Sequence, residues 1–269
     1  MSPRSSGVGV TFLTHTQMPF DIIDLDVGTA DPLVAEQDLL SLAVSGRCVA
    51  HLWQAPQSLV VPRSYQRFAA LERARAEFAA RGCPVFLRMS GGGLVPQGPG
   101  ILNLSLAYPL RGTVGGLSEA VYRHLCTILG EALAVLGVRT HWQTVNGSFC
   151  DGRFNLAWGP PGDARKIAGT AQYWRRIEAA SQASSSPLHV VLAHAVLLVS
   201  ADPEEINQRA NAFEDAIGSG RRYLPERVVT VQQALSGTGD TPADRLDERV
   251  VTALRACVAA ATPPAAIDG

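Results

Sequence analysis

Three short stretches of the chain bring together residue types that can do chemistry. Arg88-Met89-Ser90-Gly91-Gly92-Gly93 sets three glycines after a strand-like run, and glycines there let a ligand approach backbone N–H groups closely. Taken alone the run also fits a plain tight turn, since it is neither a phosphate-binding loop nor a dinucleotide fingerprint. Gly147-Ser148-Phe149-Cys150-Asp151-Gly152-Arg153-Phe154-Asn155-Leu156 places a cysteine in a glycine-flanked turn, where its sulfur is expected to be accessible. Cys126 and Cys257, on apolar helix faces, read instead as small packing residues. A turn cysteine becomes a nucleophile when a cation or oriented N–H dipoles hold it as thiolate.

Lys166, in Lys166-Ile167-Ala168-Gly169-Thr170-Ala171-Gln172, is the candidate cation. Of the 23 basic residues it is the single lysine. A genome that favours arginine explains such a count without any site. The physical alternative is that a compact ammonium with a tunable pKa is needed at this position, which arginine's bulky and permanently charged fork does not supply. Gly169 thins the strand surface beside it. Asn103, Ser105 and Ala107 alternate on one face of a strand that follows Gly98-Pro99-Gly100.

These segments need a scaffold, and the chain can build one. It has 269 residues, 46% hydrophobic and 17% charged, against about 25% charged in ordinary soluble domains. Helices are expected from Asp31-Pro32 to Gly46, over 65–80, over 119–136 with Ser118 as cap, from Asp202-Pro203 onward with Ile206, Ala210, Phe213 and Ile217 inward, and over 242–261. Strands are expected at 48–53, 58–61, 84–88, 101–107, 140–145, 154–158, 166–174 and 188–200, and a flexible loop at Ser181–Ser186. Short connections between strands favour an α+β class, a mixed and largely antiparallel sheet flanked by helices. The expected organisation is an N-terminal tail at 1–30, one main domain at 31–235 and a C-terminal helical extension at 236–269.

A net charge of −1 with interspersed signs argues against nucleic acid as partner. The longest apolar run, Leu188 to Val199, is interrupted by His189 and His194 and is too short to span a bilayer. No signal peptide is evident. Five cysteines without metal-ligand spacing argue against a disulfide framework or a metal site, so reduced thiols in cytoplasm are expected. His194 reads as a satisfied strand residue and receives no role.

The three motifs, with Gly100-Ile101-Leu102-Asn103-Leu104-Ser105-Leu106 between them, resemble the lipoate-protein ligase and octanoyltransferase family, whose catalytic domain is shared with biotin protein ligases. The resemblance covers about residues 31–220. It implies the biotin/lipoate protein ligase-like fold, and an acyl slot lined by Arg88, Ser90, Gly91, Gly92, Gly93, Asn103, Gly169, Thr170 and Ala171. It also implies a lysine, Lys166, that approaches the acyl carbonyl. Leu94 and Val95 are expected to line the slot as well. Cys150 is similar in place to the thioester nucleophile of the branch that moves octanoyl between carrier proteins, and this branch needs no cofactor.

The implied partners are lipoyl-carrier proteins: the glycine cleavage H protein and 2-oxoacid dehydrogenase E2 lipoyl domains, carrying octanoyl or lipoyl. ATP-dependent ligases, which use ATP and Mg, do not need this cysteine and often continue into a further domain, where this chain has residues 236–269. Transfer is therefore favoured over ligation. Two alternatives stand beside it, an acyl-adenylate ligase and a non-catalytic binder of acylated lipoyl domains.

Overall fold

A computed structural model describes residues 18–25, 31–178, 186–236 and 245–265, with backbone only for Pro32 and Leu33. The loop expected at Ser181–Ser186 and the start of the last expected helix therefore lie largely outside the described residues.

Two sheets carry the fold. The first elements in the chain are β1 (Asp21–Ile22), α1 (Pro32–Val44), β2 (Val49–Trp53), β3 (Ser58–Pro62), α2 (Leu71–Ala80), β4 (Val85–Arg88), β5 (Val95–Gln97), β6 (Ile101–Arg111) and α3 (Val114–Val135). After them come β7 (His141–Gln143), β8 (Asn155–Trp158), β9 (Arg165–Ile177), β10 (Leu188–Leu198), α4 (Pro203–Ala216), α5 (Val231–Ser236) and α6 (Leu246–Ala260). The large sheet runs β1-β2-β6-β10-β9-β8-β7, antiparallel except for the β1/β2 pair. The small one runs β4-β3-β5, with β3/β4 parallel across α2 and β3/β5 antiparallel. This is the mixed, largely antiparallel α+β architecture that the strand spacing predicts.

Strands β6 and β10 sit at the centre of the large sheet, covered on both faces, and so read as near-continuous apolar runs. On one face Leu102, Leu104, Leu106 and Tyr108 meet Leu125, Ile128 and Leu129 of α3 and Val250 and Leu254 of α6. On the other, Ala107 and Leu192 meet Leu39, Leu40 and Ala43 of α1. The small sheet packs with α2 and α4 through Leu59, Val61, Phe78 and Phe213. Fully burying one such leucine contributes about 1.5–3 kcal/mol, so each layer is held by several independent contacts.

Four expectations need correction. Residues 18–25 are not tail: Phe20 is buried in the main core and Asp21–Ile22 pair with β2. Likewise α6 packs into the core against α3 rather than extending from it. Helix α3 starts five residues earlier than expected, because Thr113 rather than Ser118 caps it, its hydroxyl accepting the Gly116 N–H at 3.2 Å. Lastly, the helix expected from 65 begins only at Leu71. Residues Arg63–Arg67 form a 3₁₀ turn after Pro62, and that turn delivers the Tyr65 side chain inward.

Candidate active site

The cysteine turn joins β7 to β8, and its shape is set locally. Asp151 Oδ1 accepts the Val145 N–H and the Asn155 side-chain amide, both at 2.7 Å, which ties the two ends together. Phe149 is fully buried and anchors the middle. Cys150 itself takes φ 44°, a left-handed conformation that costs a non-glycine residue about 1–2 kcal/mol. Strain of this kind persists where surrounding contacts overdetermine it.

The Cys150 sulfur is half-buried rather than freely exposed, and it lies on the glycine run. The Gly93 N–H donates to Sγ at 3.2 Å, and Arg88 Nη2 approaches it at 3.7 Å. A Cβ on Gly92 would stand 2.7 Å from the sulfur, and Gly92 has φ 102°, so a side chain is excluded there on two counts. Arg88, at the end of β4, organises the run. Its guanidinium donates to Val60 O at 3.1 Å, Gly91 O at 2.9 Å and Gly93 O at 2.7 Å.

Lys166 is 1% exposed. Its Nζ donates to Phe149 O at 2.6 Å and Cys150 O at 3.0 Å and stands 4.7 Å from the Phe149 ring centre. The lysine thus grips the backbone of the cysteine turn, and its ammonium faces these carbonyls instead of reaching into the slot. Gly169 makes this possible, since a Cβ there would lie 2.8 Å from Nζ.

The electrostatics follow from this arrangement. Burial pushes the Cys150 thiol up, but the Lys166 and Arg88 charges and the hydrogen bonds from Gly93 and Arg88 outweigh it, and the net shift is down. Burial lowers Lys166 to about 8, against the raising effect of Cys150 and Asp151. By contrast, burial raises Cys48, Cys83, Cys126 and Cys257. Of the five cysteines, Cys150 is the one whose thiol is shifted down.

Beside the sulfur opens a narrow cleft of about 60 Å³. Of the expected slot residues, Arg88, Ser90, Asn103, Gly169, Thr170 and Ala171 line it, together with Cys150 and Val95. Gly91, Gly92, Gly93 and Lys166 are not among the lining residues, and Leu94 is buried in the small-sheet core. Asn103 faces the cleft with its amide paired to Gln97 at 2.8 and 3.0 Å, and the Thr170 hydroxyl donates to Phe154 O. Buried Ser90 Oγ and Arg88 Nε have no hydrogen-bond partner among the described residues. Both residues line the cleft, although these two atoms are themselves buried.

A further wall is polar, and the sequence pattern shows only part of it. Ser105 Oγ bonds His194 Nδ1 at 3.0 Å and accepts from Trp53 Nε1 at 3.1 Å, and His194 Nε2 lies 3.2 Å from buried Glu36. All four side chains line the cleft; His194 is a partnered strand residue, as expected, whose side chain also faces the cleft. The alternation of Asn103 and Ser105 was a signal for this wall. The approach of Glu36 from α1 had none.

In its fold the chain is similar to solved lipoate-protein ligases. A crystal structure of lipoate-protein ligase A bound with ATP superposes with a TM-score of 0.59 at 16% identity, over 90% of this chain and 86% of that one. The lipoyl protein ligase A/B catalytic domain matches residues 30–255, and the chain belongs to that family. An octanoyl-[GcvH]:protein N-octanoyltransferase from Kyrpidia tusciae is 34% identical over 80% of this chain and 73% of its own length. An uncharacterized protein from Cupriavidus necator is 63% identical over 92% of this chain and 100% of its own. Among the described residues no helix is long and apolar enough to cross a membrane.

Proposed function

We propose that this protein is an acyltransferase that carries an octanoyl or lipoyl group on Cys150 and passes it to the target lysine of a lipoyl-carrier domain. The observation that carries the reading is the sulfur itself. It accepts the Gly93 N–H, lies in the field of Lys166 and Arg88, and lines an apolar cleft. A ligase that activates its acyl group on ATP has no need of a thiolate held in this way.

In the first step the Cys150 thiolate attacks the acyl carbonyl of an acylated carrier. The new S–C bond forms, the donor's bond to the acyl carbon breaks, and the donor group leaves with a proton from solvent. In the second, the neutral amine of the acceptor lysine attacks the thioester, loses a proton, and Cys150 departs as thiolate. Two easier additions replace one hard one. Arg88 and Ser90, which line the cleft, supply the donors for the developing oxyanion in this reading, and preorganised donors of this kind supply a large part of such rate enhancements. Lys166 acts through its charge and by fixing the Cys150 backbone. The candidate partners are the glycine cleavage H protein and 2-oxoacid dehydrogenase E2 lipoyl domains, and the transfer requires no ATP or Mg.

The test is peptide mass mapping of the protein mixed with octanoylated carrier in nucleotide-free buffer. An acyl adduct on Cys150, absent in Cys150→Ser, is expected. Product formed only when ATP and Mg are present would transfer the assignment to the ligase, and carrier binding with no product under either condition to a binding protein.

A further inference from the structure

Residues 221–229 have no part in the chemistry above, yet they run behind the site as a strap that touches each of its pieces. Arg221 Nη1 donates to Tyr65 Oη, which also accepts the Leu94 N–H at 3.2 Å and donates to Glu214 Oε1 at 2.6 Å. Tyr223 Oη donates to the same carboxylate oxygen at 2.6 Å. Further along, the Leu224 N–H donates to Gly147 O at 2.8 Å and Arg227 Nε to Asn146 O at 3.0 Å, at the root of the cysteine turn. The Val229 N–H donates to Lys166 O at 2.9 Å.

The hub of this network is unusual for a purely structural element. Glu214 is 0% exposed and both tyrosines are buried. A buried carboxylate costs free energy unless it is paired and hydrogen-bonded, and apolar side chains of similar volume would pack α4 against the small sheet without that cost. What the carboxylate provides is direction. Short O–H···O⁻ bonds are charge-assisted and orient their donors strongly, so Glu214 fixes where the two hydroxyls point. The Tyr65 hydroxyl then turns its lone pairs to the Leu94 N–H. Tyr223 Oη lies 3.7 Å from where a Cβ on Gly93 would stand. Gly93 and Leu94 share a peptide unit, and the Gly93 N–H is the group on the sulfur.

We propose that Tyr65, Glu214, Arg221 and Tyr223 are positioning residues of the acyl-transfer site, which lock the Gly93–Leu94 backbone so that the Gly93 N–H stays on the Cys150 sulfur. The purpose assigned to that sulfur rests on the function proposed above, whereas the lock on the backbone stands apart from it. Arg221 is the half-exposed end of the network, and its hydrogen bond to Tyr65 links it to the Leu94 N–H.

The experiment is the pH dependence of Cys150 alkylation by iodoacetamide, read at the Cys150 peptide, in the full chain and in Tyr65→Phe and Arg221→Met. Weakening one hydrogen bond to a thiolate is expected to raise the midpoint by about half to one pH unit. Octanoyl transfer should show a lower kcat with an unchanged KM for the acyl donor, and Arg221→Lys should restore part of the midpoint shift. A merely structural role lowers the melting temperature and leaves the midpoint in place. Midpoints that coincide with the parent's in both variants overturn the proposal. If Tyr65→Phe does not fold, Arg221→Met decides alone. Failure of the parent to form an acyl adduct would remove the proposed function, and the alkylation midpoints would still judge the network.

Discussion

Replacing Gly169 by alanine tests the lysine grip on the cysteine turn. The new Cβ would stand 2.8 Å from Lys166 Nζ, 2.9 Å from its Cε and 3.3 Å from Val196 Cγ1, where ordinary contact begins at 3.4 Å. The lysine end must therefore retreat by about 0.6 Å to reach van der Waals distance. It is held by two carbonyl acceptors, at 2.6 and 3.0 Å, so the retreat lengthens at least one of them. A hydrogen bond to a charged group contributes about 1.5–3 kcal/mol, and partial or full loss of one costs about 1–3 kcal/mol. If that cost falls on the geometry of Cys150, acylation slows by about 5- to 160-fold. The melting temperature drops by about 2–4 °C for each kcal/mol lost. The assay is single-turnover acylation of Cys150 followed by intact mass, beside thermal unfolding. In a Lys166→Ala background the methyl enters vacated space, and the added penalty should be below about 0.5 kcal/mol. Parental rate and melting temperature in Gly169→Ala would refute the grip. Equal losses in both backgrounds would place the cost in the strand instead of the lysine.

Further outcomes follow from the same geometry. The rate of acylation should rise with pH as Cys150 ionises below the ordinary thiol value of 9.0 and fall above about 8 as Lys166 loses its proton. Stopped-flow rates across pH should lose the falling limb in Lys166→Met and move the rising limb to higher pH. Asp151→Ala leaves the Val145 N–H and the Asn155 amide without their acceptor, and denaturant unfolding should show a loss of about 1–3 kcal/mol. Ala171→Leu narrows the cleft. Each methylene it excludes costs about 0.8 kcal/mol, or about fourfold in KM, so a series of acyl donors should shift its optimum to shorter chains.

The parts of the site that lie in short contiguous motifs were readable in the sequence. Gly91 to Gly93, Cys150 and Lys166 stand out by residue type and spacing, and the structure sets Gly92 and Gly93 against the Cys150 sulfur and Lys166 against the Phe149 and Cys150 carbonyls. The alternation of Asn103 and Ser105 reads as one wall of the cleft, because a strand's period of two is a local property, while Ala107 on the same face packs under α1. Contacts across long separations were not readable. Tyr65 looks like the start of a helix, and only its bond to Glu214, 149 residues away, explains why the chain makes a 3₁₀ turn there. His194 sits in an apolar run, and its meeting with Glu36 depends on how α1 crosses β10. Strand β5 hid behind Pro96, which a sheet edge tolerates, and α5 has only six residues, too few for a helical period to show. Gly115 and Gly116 disguised the first turn of α3, whose true cap is Thr113.

The central claim is that Cys150 carries the acyl group, and one measurement addresses it directly. The protein is mixed with a stoichiometric amount of octanoylated lipoyl carrier in nucleotide-free buffer, quenched in acid within the first turnover, and digested for mass mapping. The account predicts octanoyl on the Cys150 peptide, released by hydroxylamine and lost when an unacylated acceptor domain is added. Transfer to the acceptor at the parental rate by Cys150→Ser, with no acylated cysteine at any time, would contradict it.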